Sequence, residues 1–191
     1  PFLSLSIVLW GFISTIAIDA ATVFTQSASQ FHSMRTPASL PVLRVIVRNV
    51  LTLLHNAVVI VAVFAIFHVW PHQSWSLLVS LPLWIADSFA GVLLIGMLGA
   101  RFRDIPPIIV SVLQVFFFVT PVIWKPDLIY LGRQYVLLDP FYPILEIVRA
   151  PLLGGSVRPS IWFAAITQAF VLWGIAAVFF CRMRARITYW I

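Results

Sequence analysis

"NVLTLLHNAVVIVAVFAIFHVWPHQSWSLLVSLPLWIA", residues 49–86, contains no Lys, Arg, Asp or Glu. An isolated charge at a bilayer centre costs about 2.5–3.5 kcal/mol on insertion scales, so long charge-free stretches mark membrane spans. The middle of this one, "VWPHQSW", reads as a short turn between two such spans. Composition agrees: the chain has 191 residues, 62% hydrophobic and 9% charged, with a mean hydropathy of +1.04. That is more apolar surface than a water-soluble domain of this length can hide. The sequence is that of a membrane protein.

Crossing roughly 30 Å of hydrocarbon takes about 20 helical residues. Working outward from the opening stretch, five apolar runs meet that length, near 2–24, 45–68, 77–100, 105–124 and 160–181. The expected fold is therefore all-α, a polytopic helix bundle in one transmembrane domain over residues 1–191. Basic residues then orient it. Arg35, Arg44 and Arg48 follow the first run, Arg101 and Arg103 the third, and Arg182, Arg184 and Arg186 the fifth, while 69–76 has no Lys or Arg. Under the positive-inside rule those flanks and the C-terminus are cytoplasmic, and Pro1 lies outside. The net charge of +6 is explained by these flanks, with no nucleic-acid partner implied. Pro1 is not an initiator Met and lies at the edge of an apolar run, so a natural N-terminus upstream is expected. One further span there would make six. Nothing resembles a cleavable signal peptide, and the lone Cys181 can form no internal disulfide.

Residues 125–159 mix Lys125, Asp127, Arg133, Asp139, Glu146, Arg149 and Arg158 with apolar pieces such as "FYPILEIV". That mixture predicts short re-entrant helices at the outer surface, since such backbone is tolerated where it is buried in protein or lines a wet cavity. Within the second span, Arg44, Arg48, Asn49, Thr52, His55 and Asn56 fall within about 140° of one helix face at 100° per residue. That polar stripe reads either as an interfacial helix with snorkelling arginines or as a wet pathway or subunit seam. Asp19 and Asp87 are expected to find partners inside the bundle. Gly91, Gly96 and Ala100 place small residues on the third span, with Gly96 and Ala100 at the spacing that allows close helix approach. Aromatic residues gather toward the outer half, as an interfacial belt or as stacking platforms for sugar rings.

Enzymatic motifs are missing from the sequence. There is no phosphate-cradling G-x-x-x-x-G-K-[ST], no G-x-S-x-G elbow and no H-E-x-x-H zinc helix. His68 and His72 are four apart, but Pro71 interrupts any helix between them. No metal site, cofactor or catalytic residue is expected.

The run "ARFRDIPPIIVSVLQVFFFVTPVIW", followed by "LLDPFYPILEIVRAPLLGG", resembles the membrane subunit of type-2 ATP-binding-cassette (ABC) exporters, in particular the branch exporting polysaccharides such as O-antigen, capsule or teichoic-acid chains. The matching elements are Arg101-Phe102-Arg103-Asp104, then Pro121-Val122, then Asp139-Pro140 with Glu146, Arg149 and Gly154, Asp139 standing where the family more often has Asn. "RTPASLPVL" is similar to the family's F-P-x-x-x-L-P stretch with Thr36 in place of Phe, "VLWGFIS" to its second span and "RARITYWI" to a tail found in some polysaccharide exporters.

The resemblance implies a homodimeric permease in the bacterial inner membrane, driven by a separate ATPase subunit and moving a lipid-linked polysaccharide. It implies a cytoplasmic ATPase-coupling region at 25–40, with Gln30, Phe31, His32, Arg35 and Pro37 as contact residues, and a cytoplasmic turn at Arg101, Arg103 and Asp104. It places a periplasmic re-entrant gate at 125–155. Channel or gate aromatics would be Phe116, Phe117, Trp124, Tyr130, Tyr135 and Phe141, with Glu146 and Arg149 as gate charges. Other readings are a type-2 exporter of a drug, lipid or antibiotic, a membrane glycosyl- or acyltransferase, and a stand-alone channel.

Overall fold

The computed structural model describes residues 1–29, 37–68, 74–126 and 135–184. Its regular structure is helical: α1 (Phe2–Gln26), α2 (Ser39–Phe67), α3 (Ser74–Arg101), α4 (Ile105–Val119), a 3-10 turn (Tyr135–Leu138), α5 (Tyr142–Leu152) and α6 (Pro159–Met183). Four of these helices, α1, α2, α3 and α6, are long and apolar enough to cross a membrane.

The helices form where the apolar runs were expected, with hydroxyls accommodated by the backbone. Ser6 donates to the Phe2 carbonyl, Ser14 to Trp10, Thr52 to Arg48 and Ser88 to Trp84, each four residues back. Such bonding lets a polar side chain enter a medium that offers no water. Pro82 sits inside α3, a placement that membrane helices tolerate because neighbouring groups can re-satisfy the freed carbonyl.

Helix ends follow local chemistry. His68 closes α2 in the left-handed conformation at φ 53°, its N–H donating to the Phe64 carbonyl. Asp104 stands at the N-cap of α4, and prolines occupy the first turn, where a missing N–H costs nothing. α4 stops at Val119 because Thr120 precedes Pro121 and is forced extended (φ −65°, ψ 137°). The run expected over 105–124 is thus a helix of 15 residues, about 22 Å long at 1.5 Å per residue, shorter than the hydrocarbon thickness. Among the described residues four helices are long enough to span, and α4 and α5, of 15 and 11 residues, are shorter.

α1 is the central element. Within its most apolar stretch 56% of residues are buried, against 6% for α2 and 17% for α6. Ala17, Ala20 and Ala21 on α1 are buried; α3 meets α1 with Gly99 against the Ala21 backbone and Gly96 against Val23 and Phe24, so small residues allow the backbones to touch. α5 packs against α1, α3 and α6, and α4 against α1. At its end, Gly154 takes a φ of 78° and Gly155 donates to the Ala150 carbonyl at 2.9 Å, a left-handed stop that favours glycine.

Candidate functional site

Polar groups in this apolar bundle are few, and their fates differ. Asp19 of α1 is held by α2: Asn49 Nδ2 donates to its Oδ2 at 2.8 Å and Arg48 Nη2 reaches the same oxygen at 2.6 Å. The partner expected for Asp19 exists. Asn49 also donates to the Val45 carbonyl and is 4% exposed, so it belongs to the helix contact. The rest of the stripe, Arg44, Arg48, Thr52, His55 and Asn56, is exposed, and Arg44, Arg48, Thr52 and His55 share a groove along α2 with Leu40, Leu43, Val47 and Leu51.

Asp87 is different. It is 5% exposed, lies midway along α3, and neither carboxylate oxygen has a hydrogen-bond partner among the described residues. It borders a cavity of about 240 Å³ between α1, α3, α5 and α6. The expectation that Asp87 is paired within the bundle is therefore corrected. Of its neighbours along α3, Ser88 is bonded to the Trp84 carbonyl and the Trp84 indole N–H has no partner among the described residues, and a sequence pattern carries no sign of that.

The segment after α4 forms a buried knot around Arg149. Its side chain is fully buried. Nε donates to Glu146 Oε2 at 2.9 Å, Nη2 makes an ion pair with the same oxygen, and Nη1 donates to Ser6 Oγ at 3.1 Å and to the Pro121 carbonyl. The guanidinium also lies 4.4 Å from the Phe2 ring centroid. One planar, five-donor group thus ties α1, the Pro121 corner and α5 together, a task suited to arginine's fixed fork. Glu146 and Arg149, expected as gate charges, are one ion pair. Arg149 is part of the core.

The aromatic residues also meet. Trp10 lies 6.1 Å from Phe117 and 5.4 Å from Phe141, and Phe116 lies 5.1 Å from Phe141, all tilted or edge-on, the geometry that ring quadrupoles favour. Trp124 Nε1 donates to the Phe118 carbonyl at 3.0 Å. Tyr135 opens the 3-10 turn, and Tyr130 lies outside the described residues. Asp139 accepts from the Phe141 N–H at 2.9 Å. Burial pushes its carboxyl above the usual range, and the backbone N–H groups of Phe141 and Tyr142 pull the other way.

Arg101, Arg103 and Asp104 form one exposed turn between α3 and α4, with the Arg101 guanidinium 5.3 Å from the Phe102 ring centroid. Of the coupling residues, Pro37 is exposed just before α2. Gln30, Phe31, His32 and Arg35 lie outside the described residues. Sequence reasoning missed Ser6 and Phe2 as partners of Arg149; the distance along the chain hides them. It missed Gly99 and the cavity beside Asp87 for the same reason.

Among the described residues the regular structure is all-helical, with four apolar helices able to span a membrane. No protein-family model matches it, and no curated protein does.

Proposed function

We propose that this chain is the permease subunit of an ATP-driven exporter of a lipid-linked polysaccharide, working as a homodimer in the bacterial inner membrane with a separate ATPase subunit. The carrying observation is the stripe on α2. Arg44, Thr52, His55 and Asn56 are exposed along one face of a helix long enough to span, beside Arg48, which is exposed and also reaches Asp19. Charged and amide groups on a lipid-facing surface are costly, so the stripe faces water or a second protein surface. A wet path along α2 between two copies supplies both. The motif series around Arg101–Asp104, Pro121 and Asp139–Gly154 supports the exporter reading. The short α4, the Pro121 corner and α5 then serve as the fifth crossing and the re-entrant gate, and the Trp10, Phe116, Phe117 and Phe141 cluster stiffens the gate's base. The cytoplasmic face carries the 25–40 coupling region and the Arg101–Asp104 turn.

Deleting the gene should abolish the surface polysaccharide and leave its lipid-linked precursor inside the cell, as read by surface glycan staining and lipid extraction. Unchanged surface glycan with no internal accumulation would reject the reading, and altered resistance to small amphiphiles would move the cargo to a drug or lipid. In the full-length complex, charge reversal by Arg35→Glu should leave membrane insertion intact and ATP hydrolysis measurable while export falls by about tenfold or more, as expected where an interfacial charge contact worth a few kcal/mol is lost. Normal export from that variant would remove 25–40 as the coupling region.

A further inference from the structure

We infer that the cavity beside Asp87 binds an organic ammonium ion with an apolar body, held by the Asp87 carboxylate. A buried carboxylate with no partner is among the costliest arrangements a fold can keep, and near the middle of a membrane helix it marks a site. No described cation on the surrounding helices is placed to neutralise it. α1 has no Lys or Arg. Arg101, on α3, is about 21 Å further along the helix axis. Arg149, on α5, is committed to Glu146, Ser6 and Pro121. Arg158 and Arg182 stand at opposite ends of α6, away from Gln168 in its middle.

The lining specifies the ligand's chemistry. Ser88 spends its hydroxyl proton on the Trp84 carbonyl at 2.8 Å, and Gln168 Nε2 donates to the Pro140 carbonyl. Ser88 therefore offers oxygen lone pairs to the cavity, as Asp87 does, and Gln168 keeps its carbonyl oxygen and one N–H. Trp84 Nε1 is a buried donor without a partner among the described residues. An acceptor-rich wall with one negative charge repels anions and selects a cation that brings its own N–H donors. The remaining wall is apolar and aromatic, with Phe12 and Trp84 stacked at 4.8 Å and Phe141 beside them. Aromatic faces near a carboxylate favour organic cations. A metal ion is a poor match, because a hard divalent cation needs about six oxygen ligands and no group of three His, Cys, Asp or Glu is found among the described residues. At about 240 Å³ the space exceeds the roughly 150 Å³ cavity that accepts benzene. One ring with a short charged arm is the size expected.

The test uses the full-length protein in lipid nanodiscs at neutral pH, with phenethylammonium as probe, its neutral analogue 2-phenylethanol as control, and equilibrium dialysis as readout. Phenethylammonium should bind saturably at one site per chain, and Asp87→Asn should weaken it by about tenfold or more, the loss expected for one desolvated charge pair. 2-Phenylethanol should bind about tenfold more weakly and be indifferent to Asp87→Asn. Gly91 also borders the cavity, and a Cβ there meets nothing within 4 Å. Gly91→Leu should therefore fill the space and abolish binding with the carboxylate intact, so the proposal is tested even if Asp87→Asn folds poorly. Equal binding of the ammonium to wild type and Asp87→Asn, equal binding to wild type and Gly91→Leu, alcohol binding as tight as the ammonium, or no saturable binding to wild type would each overturn it.

Discussion

Arg149→Ala is expected to cost about 3–5 kcal/mol of folding stability, because removing one partner of a buried ion pair leaves the other charge without compensation. Three further losses add to the unpaired Glu146: the Ser6 hydroxyl and Pro121 carbonyl lose their donor, and the Phe2 ring loses the cation above it. Arg149→Lys should rescue little. An ammonium is a compact point charge on a flexible stem, and it cannot serve the Glu146 carboxylate, Ser6 and the Pro121 carbonyl from one plane while stacking on Phe2. Glu146→Gln should cost less than either, since the Glu146 side chain is 17% exposed against 1% for Arg149 and the arginine keeps its other contacts. Replacing both charges by Leu should recover part of the loss of Arg149→Ala, as apolar substitution of buried pairs often does. Thermal unfolding of the purified full-length protein and the yield of membrane-inserted chain read all four variants. An Arg149→Ala protein that melts with the wild type would show that the knot does not hold α1 to α5.

The same residue shows what the sequence conveys and what it conceals. "ILEIVRAPLL" presents Glu146 and Arg149 three apart among apolar residues, and the segment therefore reads as a mixed, surface-seeking helix, whose charges the family resemblance assigns to a gate. The structure turns that pair inward, because Ser6 and the Pro121 carbonyl wait there to use the remaining donors. The local pattern gives the pair. The partners, 143 and 28 residues away, are given only by the fold.

Helices themselves are legible because their cause is local. The charge-free run from Asn49 to Ala86 becomes most of α2 and nearly half of α3, and Pro121 ends α4 through its effect on Thr120. For that same reason α4 is shorter than the run read from the sequence: apolar residues continue to Trp124, while the backbone turns at Thr120. Along α2 the six-residue polar stripe is read correctly as one face, yet one position, Asn49, turns out to belong to the packed contact with Asp19. Periodicity sorts residues onto faces, and only packing says which neighbour each face meets. Asp19 and Asp87 look equivalent on that basis. One meets Asn49 and Arg48, the other borders a cavity.

The close approach of α1 and α3 makes the second large prediction, and it separates three glycines that sequence treats alike. A Cβ on Gly99 would lie 1.9 Å from the Ala21 carbonyl oxygen and 2.9 Å from its carbon, both backbone atoms. Nothing there can rotate away, so even Gly99→Ala must push the helices apart, and about 3 kcal/mol or more is expected, at the upper end of overpacking costs. Gly99→Val should prevent accumulation of folded protein. At Gly96 the nearest atoms are Val23 Cγ1 at 2.6 Å and Phe24 Cε2 at 3.0 Å, side-chain atoms of buried residues that can yield more readily than backbone, so Gly96→Ala should cost about 1–2 kcal/mol. At Gly91 no atom lies within 4 Å of the added carbon, and Gly91→Ala should be neutral or stabilising by up to about 1 kcal/mol through helix propensity. Thermal midpoints of the three alanine variants should therefore fall in the order Gly91, Gly96, Gly99, although all three sit on one helix in one apolar run. The small-residue spacing of Gly96 and Ala100 points to the right contact but misses its tightest position. Gly99 carries the backbone contact because a helix crossing is set by where two axes come closest. If Gly99→Ala melts no lower than Gly96→Ala, the Ala21–Gly99 crossing is not the point on which the bundle closes.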